Sequence, residues 1–318
     1  MSMAVIDFGE LTISILATSL TLTMPILYTS VGEVYAERAG VLNMSIEGVM
    51  TLSALVSLWV TYSTGSYVDG VLAAAGAAAA VGLLHSIVTV KVGINQLIAG
   101  LLIYSLAGAI ADFGYGLITQ KAFPVIRPLS PVKISGLSGL PVVGPILFSQ
   151  NVLVYMSFAV ALALGWVLYK TTWGLKIRAV GENPEAADSA GINVNLVRHL
   201  CVILGAVLAG IGGASLVVGY LGLYNAGDTL VAGRGWIAIV VVIFARWSPF
   251  KAIAGSWLFG LGYAIAAVFI GSNIFSSLGA GTGYFLLTIP YVFAIGFILI
   301  FHRGTRAPSS LTVPYKRR

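Results

Sequence analysis

AIAGSWLFGLGYAIAAVFIGSNIFSSLGAGTGYFLLTIPYVFAIGFILIF, running from Ala252 to Phe301, contains no Asp, Glu, Lys or Arg. Two stretches inside it, 253–271 and 285–302, approach the ~20 apolar residues that carry a helix across a bilayer. The Ser-, Asn- and Gly-rich piece from Gly271 to Tyr284 reads as a short external loop between them.

The same texture continues outward. Of 318 residues, 58% are hydrophobic and only 9% are charged, against roughly 25% charged in a soluble domain. A soluble fold of this size needs far more polar side chains to cover its surface, so a soluble two-domain enzyme is excluded. Apolar segments fall at 11–28, 41–62, 68–90, 94–111, 147–169, 199–220, 235–246, 253–271 and 285–302. The fold expected is all-α: a polytopic transmembrane helical bundle of nine spans, within a range of 8–10, forming a single domain over 1–318. A closed barrel would show ~10-residue alternating segments instead. The seventh segment is too short to span unaided; it either borrows residues from 228–234 or is a broken helix. The longest gap, 112–146, is punctuated by Pro124, Pro128, Pro131, Pro141 and Pro145 and reads as an ordered loop or re-entrant piece.

The formal net charge is +6. If nine spans alternate and the C-terminus is cytoplasmic, thirteen Lys and Arg residues fall inside and four (Lys121, Arg127, Lys133, Arg234) fall outside. That bias places the N-terminus out and the C-terminus in. The basic residues thus answer to membrane topology and not to nucleic acid. The opening MSMAVIDFGELTISILATSL carries Asp7 and Glu10 and no basic region, unlike a cleaved signal peptide. A lone cysteine, Cys201, rules out a disulfide within the chain and any paired-Cys metal site. Small residues are frequent: AAAGAAAA at Ala73 to Ala80 admits a close neighbour, and Gly205, Ala209 and Gly213 form one smooth helical face.

Catalytic chemistry is missing from the sequence. No Gly precedes any Lys, which removes the nucleotide phosphate loop, and there is no HExxH or GxSxG. His85, His199 and His302 lie far apart near expected helix ends, so no metal site and no catalytic residue is assigned. The chain either moves something passively or couples to energy supplied elsewhere.

Two polar segments stand out. In GEVYAERAGVLNMSIEGVM, Gly32 to Met50, Glu33 and Glu37 are one helical turn apart, as are Asn43 and Glu47. Glu47 enters an apolar run, where an ionisable group serves either a permeation path or a hydrogen bond to backbone N–H at a helix break; Asn43 has the same two readings. In KTTWGLKIRAVGENPEAADSAGINVNLVRHL, Lys170 to Leu200, Asn183 can cap a short helix starting at Pro184, with Glu185 and Asp188 near its positive end. Ala186 and Ala187 continue that helix and Gly191 stops it. Such a knob either closes a loop or fits a groove on another subunit.

These segments resemble the integral-membrane permease subunits of bacterial ABC importers, in the branched-chain amino acid and ribose permease superfamily, and within it the simple-sugar and nucleoside branch. The likeness is carried by GExxxERxGxxNxxxEGxM at Gly32 to Met50, the pair Asn95 and Gln96, GLxxRAVGENPxAAxxxGI at Gly174 to Ile192, GRGxIAIxxVIFxRWxPxxA at Gly233 to Ala252, and APSSLTVPY at Ala307 to Tyr315. Asp228, in the stretch before the GRG block, departs from the aromatic-rich pattern of the branch; Asp228 and Arg234 are close enough in sequence to pair, or to contact a binding protein's rim. The branch commonly counts about ten crossings, one more than nine.

The resemblance implies one of two permeases in the bacterial inner membrane, the shorter of a non-identical pair. Its partners would be an ABC ATPase, often a fused double-domain chain that uses ATP and Mg, and an extracytoplasmic solute-binding lipoprotein. The solute implied is a nucleoside or simple sugar, with a branched-chain amino acid, or an ion-coupled secondary transporter, as alternatives. No cofactor is implied for this chain, and no nucleic acid. The implied cytoplasmic coupling segment at 171–198 brings Arg178, Gly181, Glu182, Asn183, Pro184, Glu185, Ala186, Ala187 and Gly191 to the ATPase. Asn43, Glu47, Asn95 and Gln96 are the polar residues expected in the path or the protein interior.

Overall fold

The computed structural model describes residues 8–120, 123–226, 230–271, 285–301 and 306–316. Lys121, Asp228, the expected external loop at 272–284, His302, Arg303, Arg317 and Arg318 lie outside the described residues. The chain forms α1 (Phe8–Arg38), α2 (Ile46–Thr64), α3 (Tyr67–Ser86, continued by a π-turn over Ile87–Val92) and α4 (Gln96–Thr119). After a small ordered cap come α6 (Val152–Lys170), the surface helices α7 (Thr172–Glu182) and α8 (Pro184–Ser189), and α9 (Val194–Leu216, continued by a π-turn over Val217–Leu221). The last three are α10 (Arg234–Phe244), α11 (Pro249–Gly271) and α12 (Ile289–Phe301). The cap contains β1 (Val132–Lys133) paired antiparallel with β2 (Ser149–Gln150), and α5 (Val143–Leu147) between them.

Among the described residues, seven helices are long and apolar enough to cross a membrane: α1, α2, α3, α4, α6, α9 and α11. The nine expected segments each hold a helix, but the expectation of nine full spans is corrected, because α10 has 11 residues and α12 has 13. For α10 the reason is local. Ala232 and Gly233 take φ of +50° and +76°, and two left-handed residues in succession stop the helix from extending backward. The expected gap at 112–146 also shrinks, since α4 continues to Thr119. Beyond residue 122, the Ile126 N–H donates to the Gly222 carbonyl and the Leu129 N–H to the Val218 carbonyl, fastening the cap to the end of α9.

α9 is the centre of the bundle. Its apolar window is 78% buried, against 28% for α3 and for α4. The small face read from the sequence is what allows this. Gly205 faces Gly32 of α1 and Gly210 faces Ala78 of α3. A Cβ at Gly213 would sit 2.1 Å from the Met50 carbonyl oxygen of α2. Tails of lipid are as apolar as Leu, so close backbone approach and dispersion, not hydrophobicity, hold such helices together.

A matched pair of glycines tests this packing. Gly213→Ala meets backbone that cannot step aside and is expected to lose about 1–3 kcal/mol. Gly76→Ala in α3 meets nothing within 4 Å and is expected to gain up to about 1 kcal/mol from helix propensity. Thermal unfolding of the purified variants in detergent should move the midpoint down for the first and up, or not at all, for the second.

Candidate functional site

The helix break between α1 and α2 organises one end of the bundle. α1 stops after Arg38, and residues 39–45 run without a regular helix until α2 opens at Ile46. Backbone groups freed there are taken up by buried side chains. Glu33 Oε1 accepts from the Asn43 N–H at 2.8 Å, and Gln96 Oε1 accepts from the Leu42 N–H at 2.8 Å. Asn43 Oδ1 in turn accepts from the Ser45 N–H and hydroxyl. Asn43 and Glu47 therefore do not share a helical face, as their spacing predicts, because the chain is broken between them.

Glu47, in the first turn of α2, meets the start of α10. Its Oε1 accepts from the Gly233 N–H at 2.8 Å and its Oε2 from the Gly235 N–H at 2.6 Å. The carboxylate thus caps the N-terminus of a half-length helix, where unsatisfied N–H groups and the helix dipole favour negative charge. At ~1.5 Å per residue α10 is about 16 Å long, roughly half the ~30 Å hydrocarbon thickness. Its other end turns against α1: Arg38 Nε donates to the Trp247 carbonyl, and Trp247 Nε1 donates to Glu37 Oε2. The cap consequently lies about 16 Å from that end. Arg234 opens α10 and is buried there, its guanidinium 4.1 Å from the Tyr263 ring centroid and its Nη1 donating to the Leu230 and Val231 carbonyls. Burial corrects the expectation that Arg234 contacts a binding protein's rim.

Of the four expected intramembrane residues, Asn43, Glu47 and Gln96 are buried. Asn95 is exposed and is corrected to a helix cap: its Oδ1 accepts from the Leu97 and Ile98 N–H groups at the start of α4.

The 171–198 segment lies at the same end as the α1–α2 break. Asn183 caps α8 as its position predicts, with Oδ1 accepting from the Ala186 N–H at 2.9 Å, and Pro184 is the first helical residue. Gly191 has φ of +82°, the left-handed conformation that turns the chain away. Glu185 and Ala186 face outward, whereas Ala187 is buried among Val180, Val194 and Val197. The expectation that Ala187 is presented to a partner is therefore corrected; the exposed residues here are Glu185, Ala186, Ser189 and Ala190. Gly181 is buried too, since a Cβ there would overlap the Arg38 carbonyl. Arg178 lies over the Tyr169 ring, and Glu182 accepts from the Ser309 hydroxyl at 3.0 Å.

Two contributors escaped the sequence reading. Arg198, taken there only as a topogenic charge, is fully buried and donates to the Ala39 and Val313 carbonyls and to Ser310 Oγ. Ser310 Oγ also donates toward the Gly181 carbonyl at 2.8 Å, so the tail is tied to the 171–198 segment. The signal available was an Arg four residues after Val194, in the first turns of a mainly apolar helix.

Replacing Glu47 by Gln puts an N–H group where the Gly233 or Gly235 N–H needs an acceptor. The expected result is a loss of about 2 kcal/mol, the scale of one charge-assisted hydrogen bond, read as a lowered unfolding midpoint of the assembled protein. Parent-like stability would show that the cap contributes nothing.

Comparison with known proteins follows this geometry. The model of the family described as "Branched-chain amino acid transport system / permease component" matches residues 15–302. The chain is 33% identical over 309 residues to the nucleoside ABC transporter permease protein NupC of Lactococcus lactis subsp. cremoris, covering 95% of this chain and 96% of that one. It is 30% identical over 321 residues to the guanosine ABC transporter permease protein NupQ of Bacillus subtilis, covering 97% and 98%. With a glucose ABC transporter permease protein of Haloferax volcanii the identity is 26% over 266 residues, 79% and 67% of the two chains. No solved structure matches the chain. The family is one of transport permease components and not of catalysts, and the chain is a member of this branched-chain amino acid transport system permease family, a multi-pass membrane subunit of an ABC importer.

Proposed function

We propose that this permease translocates nucleosides, or a related simple sugar, handed over by an extracytoplasmic binding lipoprotein and driven by an ABC ATPase. The observation that carries the reading is coverage: the relatives named for nucleoside and guanosine transport align over nearly the whole of both chains. The relative named for glucose keeps simple sugars within the proposal. A branched-chain amino acid is the weaker reading, resting on the family's description alone. An ion-coupled transporter finds less support, because both oxygens of Glu47 already face backbone N–H groups.

In this reading α8 is the knob that receives the ATPase stroke. A second, non-identical permease completes the path, and the pair exchanges outward- and inward-open packings. Gly181 against the Arg38 carbonyl would carry motion of α8 directly to the end of α1 and the break that follows it. The segment 171–198 and the C-terminal tail then lie in the cytoplasm of a bacterial cell, in keeping with the basic bias.

Proteoliposomes containing this chain, its second permease and its ATPase, supplied with binding protein, should accumulate labelled nucleosides in an ATP-dependent manner. Excess nucleoside or simple sugar should compete, and leucine should not. Competition by leucine alone would overturn the proposed solute class. Two alanines separate docking from folding. Ala186→Arg should insert and fold but fail to couple ATP hydrolysis to uptake, while Ala187→Arg should fail to accumulate as folded protein, since it buries an unpaired charge. An Ala186→Arg complex that transports like the parent would remove α8 as the docking surface. For sidedness, a Ser189→Cys variant should resist an impermeant thiol reagent added to intact cells and react in inverted vesicles; Cys201, being buried, contributes little background.

A further inference from the structure

At the end of the bundle opposite the coupling segment, an open pocket of about 220 Å³ lies between α1, the cap and the π-turn that ends α9. Thr18 on its wall precedes Arg38 by twenty residues of continuous helix, about 30 Å at the α-helical rise. The pocket is therefore near the far membrane face. Its polar lining is Thr18, Thr21, Ser149, Gln150, Asn151 and Tyr220, and no Asp, Glu, Lys or Arg lines it.

The two amides are built in and not incidental. Gln150 and Asn151 are each only 4% exposed. Gln150 Nε2 donates to the Ala17 and Ile146 carbonyls, and its Oε1 accepts from Thr21 Oγ1 at 2.9 Å. Asn151 Nδ2 donates to the Gly219 carbonyl at 3.0 Å, while its Oδ1 caps α6 through the Val154 N–H. An amide oxygen has two lone pairs and an amide nitrogen two N–H groups. Each side chain is thus locked in place by these bonds and still keeps capacity for another. The hydroxyls of Thr18, Ser149 and Tyr220 add groups that both donate and accept. Gly219 and Tyr220 belong to the π-turn Val217–Leu221, a distortion that recurs at functional sites because it re-aims side chains and frees backbone carbonyls.

We infer that this pocket is an outer receiving site for the sugar ring of the solute. It rests on the proposed nucleoside or simple-sugar reading and specifies which part of the solute this chain holds. Vicinal ring hydroxyls need donors and acceptors side by side, which the amide and hydroxyl lining supplies. The volume is below the about 300–1,000 Å³ of sites for drug-sized ligands, which suits one ring and leaves a base to the neighbouring surface. A phosphorylated nucleoside would bring its charge into a lining with no cation, and a zwitterionic amino acid would find no counter-charge for either end. The site therefore selects a neutral, polyhydroxylated ring.

The test uses the assembled importer in membranes. A Thr18→Cys variant is exposed to a charged, membrane-impermeant thiol reagent from the outer side, with the parent chain as background and Ser63→Cys, an exposed position at the end of α2, as control. Labelling at position 18 should be lost in saturating uridine or ribose and unchanged in leucine or uridine monophosphate, and Ser63→Cys should label throughout. In parallel, Thr18→Val and Tyr220→Phe should each raise the KM for nucleoside uptake about two- to tenfold, the scale of one neutral hydrogen bond, with ATPase association unaltered. Equal labelling with and without uridine and ribose, together with parent KM values, would overturn the pocket while ATP-driven nucleoside uptake left the proposed function standing. Uptake of leucine and not of nucleosides by the parent complex would overturn that function instead.

Discussion

Hydrocarbon supplies no hydrogen bonds, so any place where a helix starts or stops inside the bundle must find its partners in the protein. This chain interrupts its helices twice, after Arg38 and before Arg234, and the fold around both interruptions follows from that demand. Glu33 and Gln96 take the N–H groups of the first break, and Glu47 takes those of the second. Because Glu47 itself sits just past the first break, the two are one structure. Moving the start of α2 would withdraw the cap of α10.

That coupling extends to the surface helices. Arg246 and Trp247 adopt φ of +53° and +54°, a conformation that costs non-glycine residues free energy and persists only where neighbours over-determine it. Here the neighbours are Arg38, donating to both carbonyls, and Glu37, accepting from the Trp247 indole. The Arg38 carbonyl is in turn covered by Gly181, and Ser310 and Arg198 fasten the tail onto the same corner. Five blocks scattered from residue 32 to residue 315 in the sequence thus meet around seven residues of interrupted backbone. Their spacing along the chain carries no periodicity because what they share is a place and not a helix face.

Features set by local rules were legible in the sequence. Every apolar segment holds a helix, Asn183 and Pro184 start α8, Gly191 ends it, and the small face of α9 packs closely. What depended on partners distant in the sequence was not. Ala186 and Ala187 are equivalent as residues, and only the packing of Val180, Val194 and Val197 decides that the second turns inward. Asn95 and Gln96 are adjacent amides. One caps its own helix at the surface, and the other reaches the Leu42 N–H across the first break. Gln150 and Asn151 fall inside the segment 147–169 that reads as one apolar span, although an Asn just before an apolar run is an N-cap signal in its own right.

Charge placement follows one rule through the molecule. Glu33, Glu37, Glu47, Arg198 and Arg234 are all buried, and the hydrogen bonds of each hold backbone carbonyls, backbone N–H groups or an indole at a break or a tether. An importer whose driving energy arrives from outside the membrane needs no titrating group in its path, only a path that is neither greasy enough to trap a polar solute nor charged enough to hold it. On the proposed reading, fixing the charges in the scaffold leaves amides and hydroxyls, as at Gln150, Asn151 and Thr18, to meet a neutral solute. Their individual bonds are weak enough, about 1 kcal/mol each, to be exchanged for the next set as the packing changes. In this molecule strong interactions therefore belong to the framework that moves and weak ones to the solute that is moved.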